Sequence, residues 1–125
     1  MVNPLTLVVL PETYAVCRLP ANAAWPTWAT GGFVSITRTA DEFSVVCAQG
    51  GVPPDVRCER GWRCLRVAGS LDFAAVGILA SMVVPLAEAG ISVFAVSTFD
   101  TDYLLVKERD FDRACAALRQ RGHRL

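Results

Sequence analysis

The stretch that decides the fold is Gly90–Lys107, GISVFAVSTFDTDYLLVK. Ile91–Ser97 is β-branched and aromatic, the composition that suits a pleated, half-buried strand. Phe99–Thr101 is long enough only for a turn, and Tyr103–Lys107 reads as the returning strand. Working upstream, Phe73–Ala89 is rich in Ala, Leu and Val. It reads as a helix that is apolar almost all round, and so is buried. Ser70-Leu71-Asp72 offers N-caps for it, and Gly90 a C-terminal stop. Pro85 lies inside it and cannot donate to the carbonyl of Ser81, so a kink or local irregularity is expected there. Before the helix, Trp62–Val67 is a strand candidate that Ala68-Gly69 ends. Downstream, Asp110–Gln120 places Phe111, Ala114, Cys115 and Leu118 on one helical face, with Asp110 as cap and Gly122 as stop. The order is β-α-β-β-α. A ferredoxin-like unit needs one more strand, and only His123, Arg124 and Leu125 remain.

The first half is weaker in signal. Leu5–Leu10 and Tyr14–Leu19 read as strands separated by Pro11-Glu12. Asn22–Thr30 holds Pro26 and two tryptophans, so at most a short helix fits. Phe33–Arg38 and Phe43–Ala48 form a hairpin around Ala40-Asp41, and Gln49–Pro54 breaks the pattern. Tyr14–Ala48 therefore repeats the β-α-β-β order with a shrunken helix. Leu5–Leu10 is surplus to that repeat and is expected to supply the edge strand the second half lacks. The expectation is an α+β protein of two fused ferredoxin-like units, residues 1–60 with the extra strand and residues 61–125, with antiparallel sheets and helices on one face.

The chain has 125 residues, 53% of them hydrophobic, enough for one compact core or two small ones sharing it. Basic and acidic residues balance at 12 each, which argues against a general nucleic-acid binder, since that would need a basic face. Trp25, Trp28 and Trp62 have no basic stripe interleaved with them, and read as core or interface residues rather than a stacking platform. The N-terminal MVNPLTLVVLPE lacks a positive n-region and reads as a strand, and no apolar run reaches the roughly 20 residues of a membrane span. A cytoplasmic protein that binds neither nucleic acid nor membrane is expected. Cys17, Cys47, Cys58, Cys64 and Cys115 are odd in number and contain no CxxC, which favours free thiols over a disulfide framework or a zinc site. No metal and no cofactor is expected.

Gly90–Lys107, with the preceding GWRCLRVAGSLDFAAVGILASMVVPLAEAG, resembles the ACT domains of the arginine-sensor type and their short bacterial relatives. A strand ends in Ser-Thr-Phe, a short turn follows, and an acidic residue precedes the returning strand. Leu71-Asp72-Phe73 and Gly77-Ile78 match the start of the family's first helix. The resemblance covers residues 61–110 well. It implies a ferredoxin-like fold, pairing of units, and amino-acid binding between units, against the helix start and the Ser-Thr-Phe segment. Carried over by position, the site residues are Leu71, Phe73, Gly77, Ile78, Thr98, Phe99 and Asp102. Ala74, Ala75 and Val76 stand where the arginine-binding members carry acidic residues. That leaves a guanidinium without an obvious partner and points to a ligand with a neutral side chain.

The chemistry of such a site stands beside the resemblance. A helix N-terminus presents unpaired N–H groups and a partial positive charge, which suit a carboxylate. An aspartate suits an α-ammonium. Asp102 also stands where an aspartate simply caps a turn, Asp100 where one is solvated, and Gly77 where a glycine only lets helix and sheet approach. His123 is the one histidine, and no P-loop, HExxH or GxSxG occurs, so catalysis is not expected. The expected function is a non-catalytic, amino-acid-binding regulatory protein acting as a homodimer. The alternative is a dimerisation or partner-docking module without a small-molecule ligand.

Overall fold

The computed structural model describes residues 4–72 and 75–125. The chain divides into two compact units, Met1–Leu10 with Arg63–Leu125, and Pro11–Trp62. Among the described residues six strands and two α-helices occur in order: β1 (Leu7–Leu19), β2 (Ser35–Arg38), β3 (Phe43–Ala48), β4 (Arg57–Val67), α1 (Ile78–Glu88), β5 (Val93–Ser97), β6 (Asp102–Lys107) and α2 (Phe111–Gln120).

In the unit holding the C-terminal half, β6 lies between β4 and β5, and Leu7–Leu10 of β1 lies on the other side of β4. β5 and β6 are antiparallel, with Ser97 opposite Asp102 and Val93 opposite Val106. The N-terminal strand thus occupies the place beside the first strand that the last strand of a ferredoxin-like unit would take. The Ala68 N–H donates to the Thr6 carbonyl at 2.9 Å, and the tail adds one parallel bridge between Arg124 and Thr6. Leu104 and Val106, alternate residues of β6, share one core with Leu7, Leu65 and Val67. Met82 and Leu86 of α1 and Ala114 and Leu118 of α2 close that core. α1 and α2 touch, and the Arg113 guanidinium donates to the Ala89 carbonyl at 2.6 Å.

In the other unit, β3 pairs antiparallel with both β1 and β2, from Tyr14 opposite Ala48 to Leu19 opposite Phe43. Ala15, Cys17, Phe43, Val45 and Cys47 form its core, with Trp28 and Ile36 at the margin. The segment read as a possible short helix contains turns only, where the Ala23 and Ala29 N–H groups donate to the carbonyls of Pro20 and Pro26.

Four readings need correction. β1 is one strand rather than two; Pro11 lies outside its ladder with β3, which begins at Tyr14, so the missing donor removes no bond on that side. β4 begins at Arg57 rather than Trp62; its first residues are charged and mostly exposed, which hides the strand alternation. α1 begins at Ile78 rather than Phe73. Gly77 precedes it with φ 83°, a left-handed conformation that breaks a right-handed helix, and neither Ser70 nor Asp72 caps it. Asp110 does not cap α2 either, since its carboxylate pairs with Arg113 at 3.1 Å.

Candidate functional site

The turn after β5 is built by its own polar side chains. The Thr98 N–H donates to the Thr101 carbonyl at 2.8 Å, and Thr98 Oγ1 accepts from the Thr101 N–H at 3.3 Å. Thr101 is buried, and its hydroxyl donates to the Val67 carbonyl at 2.8 Å, which pins the turn to the end of β4. The Leu71 N–H donates to the Asp100 carbonyl at 2.6 Å, which ties the loop leading to α1 onto the same turn. Ser97 Oγ donates to Asp102 Oδ1 at 2.6 Å and orients that carboxylate.

Between loop and turn lies a cavity of about 210 Å³. Of the residues expected at the site, Leu71, Ile78, Thr98, Phe99 and Asp102 line it. Gly77 does not line it but sets the start of α1, and Phe73 lies outside the described residues. α1 has no side-chain cap at its N-terminus, and its first residue, Ile78, faces the cavity.

Five further residues line it: Ala75 and Ser97, which belong to segments the sequence already placed at the site, and Asp72, Asp100 and Thr101, which the sequence did not assign to it. In the sequence Asp72 reads as a helix cap and Asp100 as a solvated turn residue. Only the displaced start of α1 and the Leu71–Asp100 hydrogen bond bring both to one place. Asp72 and Asp100 add two acidic residues to the lining. A second depression, of about 420 Å³, shares Thr98, Asp100 and Thr101 with the first and adds Arg66, Gly69, Ser70 and Tyr103. Asp72, Asp100 and Asp102 thus line the first depression, and Arg66 lines the second. Phe99 and Val76 are 79% and 87% exposed.

Among the described residues no group of three or more His, Cys, Asp or Glu side chains is placed to hold a metal ion. His123 lies apart from this cavity, with Nδ1 3.0 Å from the Leu5 N–H and Nε2 3.0 Å from the Ser81 carbonyl. Among the described residues no helix is long and apolar enough to cross a membrane.

A family model described as ACT domain matches residues 57–120, and a second, described as an N-terminal domain, matches residues 12–55. The chain is 33% identical over 98 residues to the mouse (Mus musculus) cytosolic arginine sensor for mTORC1 subunit 1, covering 70% of this chain and 30% of that protein. It thus spans under a third of the curated relative's length. A solved protein of Agobacterium tumefaciens is 44% identical, covers 99% of this chain and 93% of its own, and superposes with a TM-score of 0.94. The aspartate kinase of Clostridium acetobutylicum is similar in fold, with a TM-score of 0.69 at 10% identity, over 92% of this chain and 34% of that one.

Proposed function

The chain belongs to the ACT domain family, and from that premise we propose that it is a regulatory protein that binds a small amino acid or similar zwitterion without transforming it. One observation carries the reading: an uncapped helix N-terminus and an oriented aspartate border the same cavity. The N–H groups of α1 bind the ligand's carboxylate, and Asp102 binds its ammonium. The cavity is smaller than the roughly 300 Å³ at which pockets for drug-sized ligands begin, which suits a small ligand. Asp72 and Asp100 widen the expected range beyond neutral side chains, since they give a cationic side chain partners that the sequence reading did not supply.

The finer parts of the proposal are that both halves are ACT-like units, that the protein acts in the cytoplasm, and that two copies associate. The mouse relative is named as a cytosolic sensor, which supports the second. The exposure of Phe99 and Val76 supports the third and equally supports the rival reading, a docking module with no ligand.

A thermal-shift screen against the twenty amino acids separates the readings. A ligand at 100 times its dissociation constant adds about 2.7 kcal/mol of stability. A docking module responds to none of them. Sedimentation at micromolar concentration, with and without ligand, tests association; a monomer in both conditions removes the homodimer from the proposal.

A further inference from the structure

Three of the five cysteines meet in the unit Pro11–Trp62. Cys17 is on β1, Cys47 on β3 and Cys58 at the start of β4, and β1 lies between the other two strands. Cys17 is opposite Val45 and Cys47 opposite Ala15, so the two thiols are diagonal neighbours on one face of the ladder. Both are buried in the core with Phe43 and Val45. Cys58 packs against that core and is half-exposed. The three thiols thus share one core, with Cys17 on the strand between those that carry Cys47 and Cys58.

Cys47 is biased toward the thiolate, chiefly because Cys17 donates its S–H to it, with a backbone contact at Thr30 and the charge of Arg60 adding to the effect. The same bond, with burial, keeps the proton on Cys17 and raises that thiol. Cys64 has no such partner among the causes of its shift, and burial alone pushes it up to about 12. Reactivity follows thiolate character and access, so the trio and the isolated thiol differ in kind. Metal binding is set aside, because no described cluster is arranged to hold an ion.

We infer that Cys17, Cys47 and Cys58 form a peroxide-responsive thiol switch, in which half-exposed Cys58 is oxidised first and condenses with Cys17 into a disulfide joining β1 to β4. The Cys58 sulfur attacks the O–O bond of hydrogen peroxide. One oxygen stays on sulfur as the sulfenic acid and the other leaves as water. Cys47 accepts the Cys17 proton as the Cys17 sulfur attacks the Cys58 sulfur, an S–S bond forms, and the S–O bond breaks. The departing hydroxide takes the proton from Cys47 and leaves as a second water. Two thiols and one peroxide give one disulfide and two waters, so the sulfurs are oxidised by two electrons and the peroxide is reduced by two.

The test uses the full chain, reduced, treated with one equivalent of hydrogen peroxide, then denatured, alkylated and digested with trypsin. Cleavage after Arg18, Arg38, Arg57 and Arg60 puts Cys17 in peptide 1–18, Cys47 in 39–57 and Cys58 in 58–60. The expected product is peptide 1–18 linked to 58–60, with free thiols falling from five to three while Cys64 and Cys115 remain alkylated. Cys58→Ser changes a half-exposed position, and its four thiols are expected to survive the same treatment. Cys47→Ala is expected to form the Cys17–Cys58 link more slowly. The proposal is overturned if peroxide leaves all five thiols free, if Cys64 or Cys115 is consumed as fast as Cys58, if the first link joins 39–57 to 58–60, or if it joins two chains on a non-reducing gel.

Discussion

The Ser81 carbonyl, which Pro85 cannot reach with a backbone N–H, is engaged instead by the His123 ring, whose Nε2 lies 3.0 Å away. Pro85 is four residues on from Ser81, where the helical donor would stand. α1 nevertheless runs through Pro85 to Glu88. The other ring nitrogen, Nδ1, accepts the Leu5 N–H at 3.0 Å, which makes the neutral ring with its proton on Nε2 the form that satisfies both contacts. One buried histidine thus joins the N-terminal segment, the tail and the irregular point of α1.

His123→Ala leaves the Ser81 carbonyl and the Leu5 N–H without this partner. The expected loss is about 2 kcal/mol, since an orphaned buried polar group costs about 1–3 kcal/mol. Pro85→Ala restores a backbone donor to Ser81. In that background the cost of His123→Ala is expected to fall by about 1 kcal/mol. Urea denaturation of the four proteins of this cycle measures the coupling, and strictly additive losses would refute the link.

Asp102→Ala is expected to weaken amino-acid binding tenfold to a hundredfold, the worth of a charge-assisted contact of about 1.5–3 kcal/mol. Ser97→Ala, which only releases Asp102 Oδ1, should cost less affinity. Both variants should keep their fold, because these groups lie at an exposed turn where substitutions change stability little. Titration calorimetry with the ligand from the thermal screen reads the difference. Unchanged affinity in Asp102→Ala would move the site elsewhere.

Gly31→Ala is expected to destabilise the chain by about 1–3 kcal/mol, the range for a strained backbone. Gly31 has φ 121°, and a Cβ there would lie 2.8 Å from the Ala48 Cβ. The neighbouring Gly32 N–H donates to Glu12 Oε1 at 2.7 Å, so the segment cannot easily shift away. Chemical denaturation checks it; a midpoint equal to the parent's would show that the segment adapts.

Alkaline stability reports on Cys64. Burial raises its folded value to about 12 from an ordinary value of 9.0. Above pH 9 the unfolded chain releases this proton and the folded chain keeps it, so its contribution is complete below pH 9 and is lost as pH rises toward about 12. The slope is about 1.4 kcal/mol per pH unit in that window. Cys17 and Cys115, raised in the same direction, add to the decline. Cys64→Ala is expected to be less stable at pH 7 but to lose less on passing from pH 8 to pH 10. Parallel curves for the two proteins would contradict a buried, protonated Cys64.

Much of the second half was legible in the chain alone. The β-branched run at Val93–Ser97, the return at Tyr103–Lys107 and the amphipathic face of α2 depend on local pattern, and each lies within two residues of its expected place. The strand surplus at Leu5–Leu10 and the deficit after α2 could be counted in sequence, because a sheet edge needs a partner wherever it comes from. Other features were decided only in three dimensions. Gly77 could have been an ordinary helical residue; its left-handed φ moved the start of α1 and drew Asp72 and Asp100 to the cavity. Three of the odd, unpatterned cysteines came to share one core only once β1 lay between β3 and β4. The Ser81 carbonyl found its partner 42 residues away. Local pattern determines which segments are strands and helices, because it acts over a few residues. Which polar and thiol groups meet is decided by strand order and register, and these depend on pairings between segments distant in the chain.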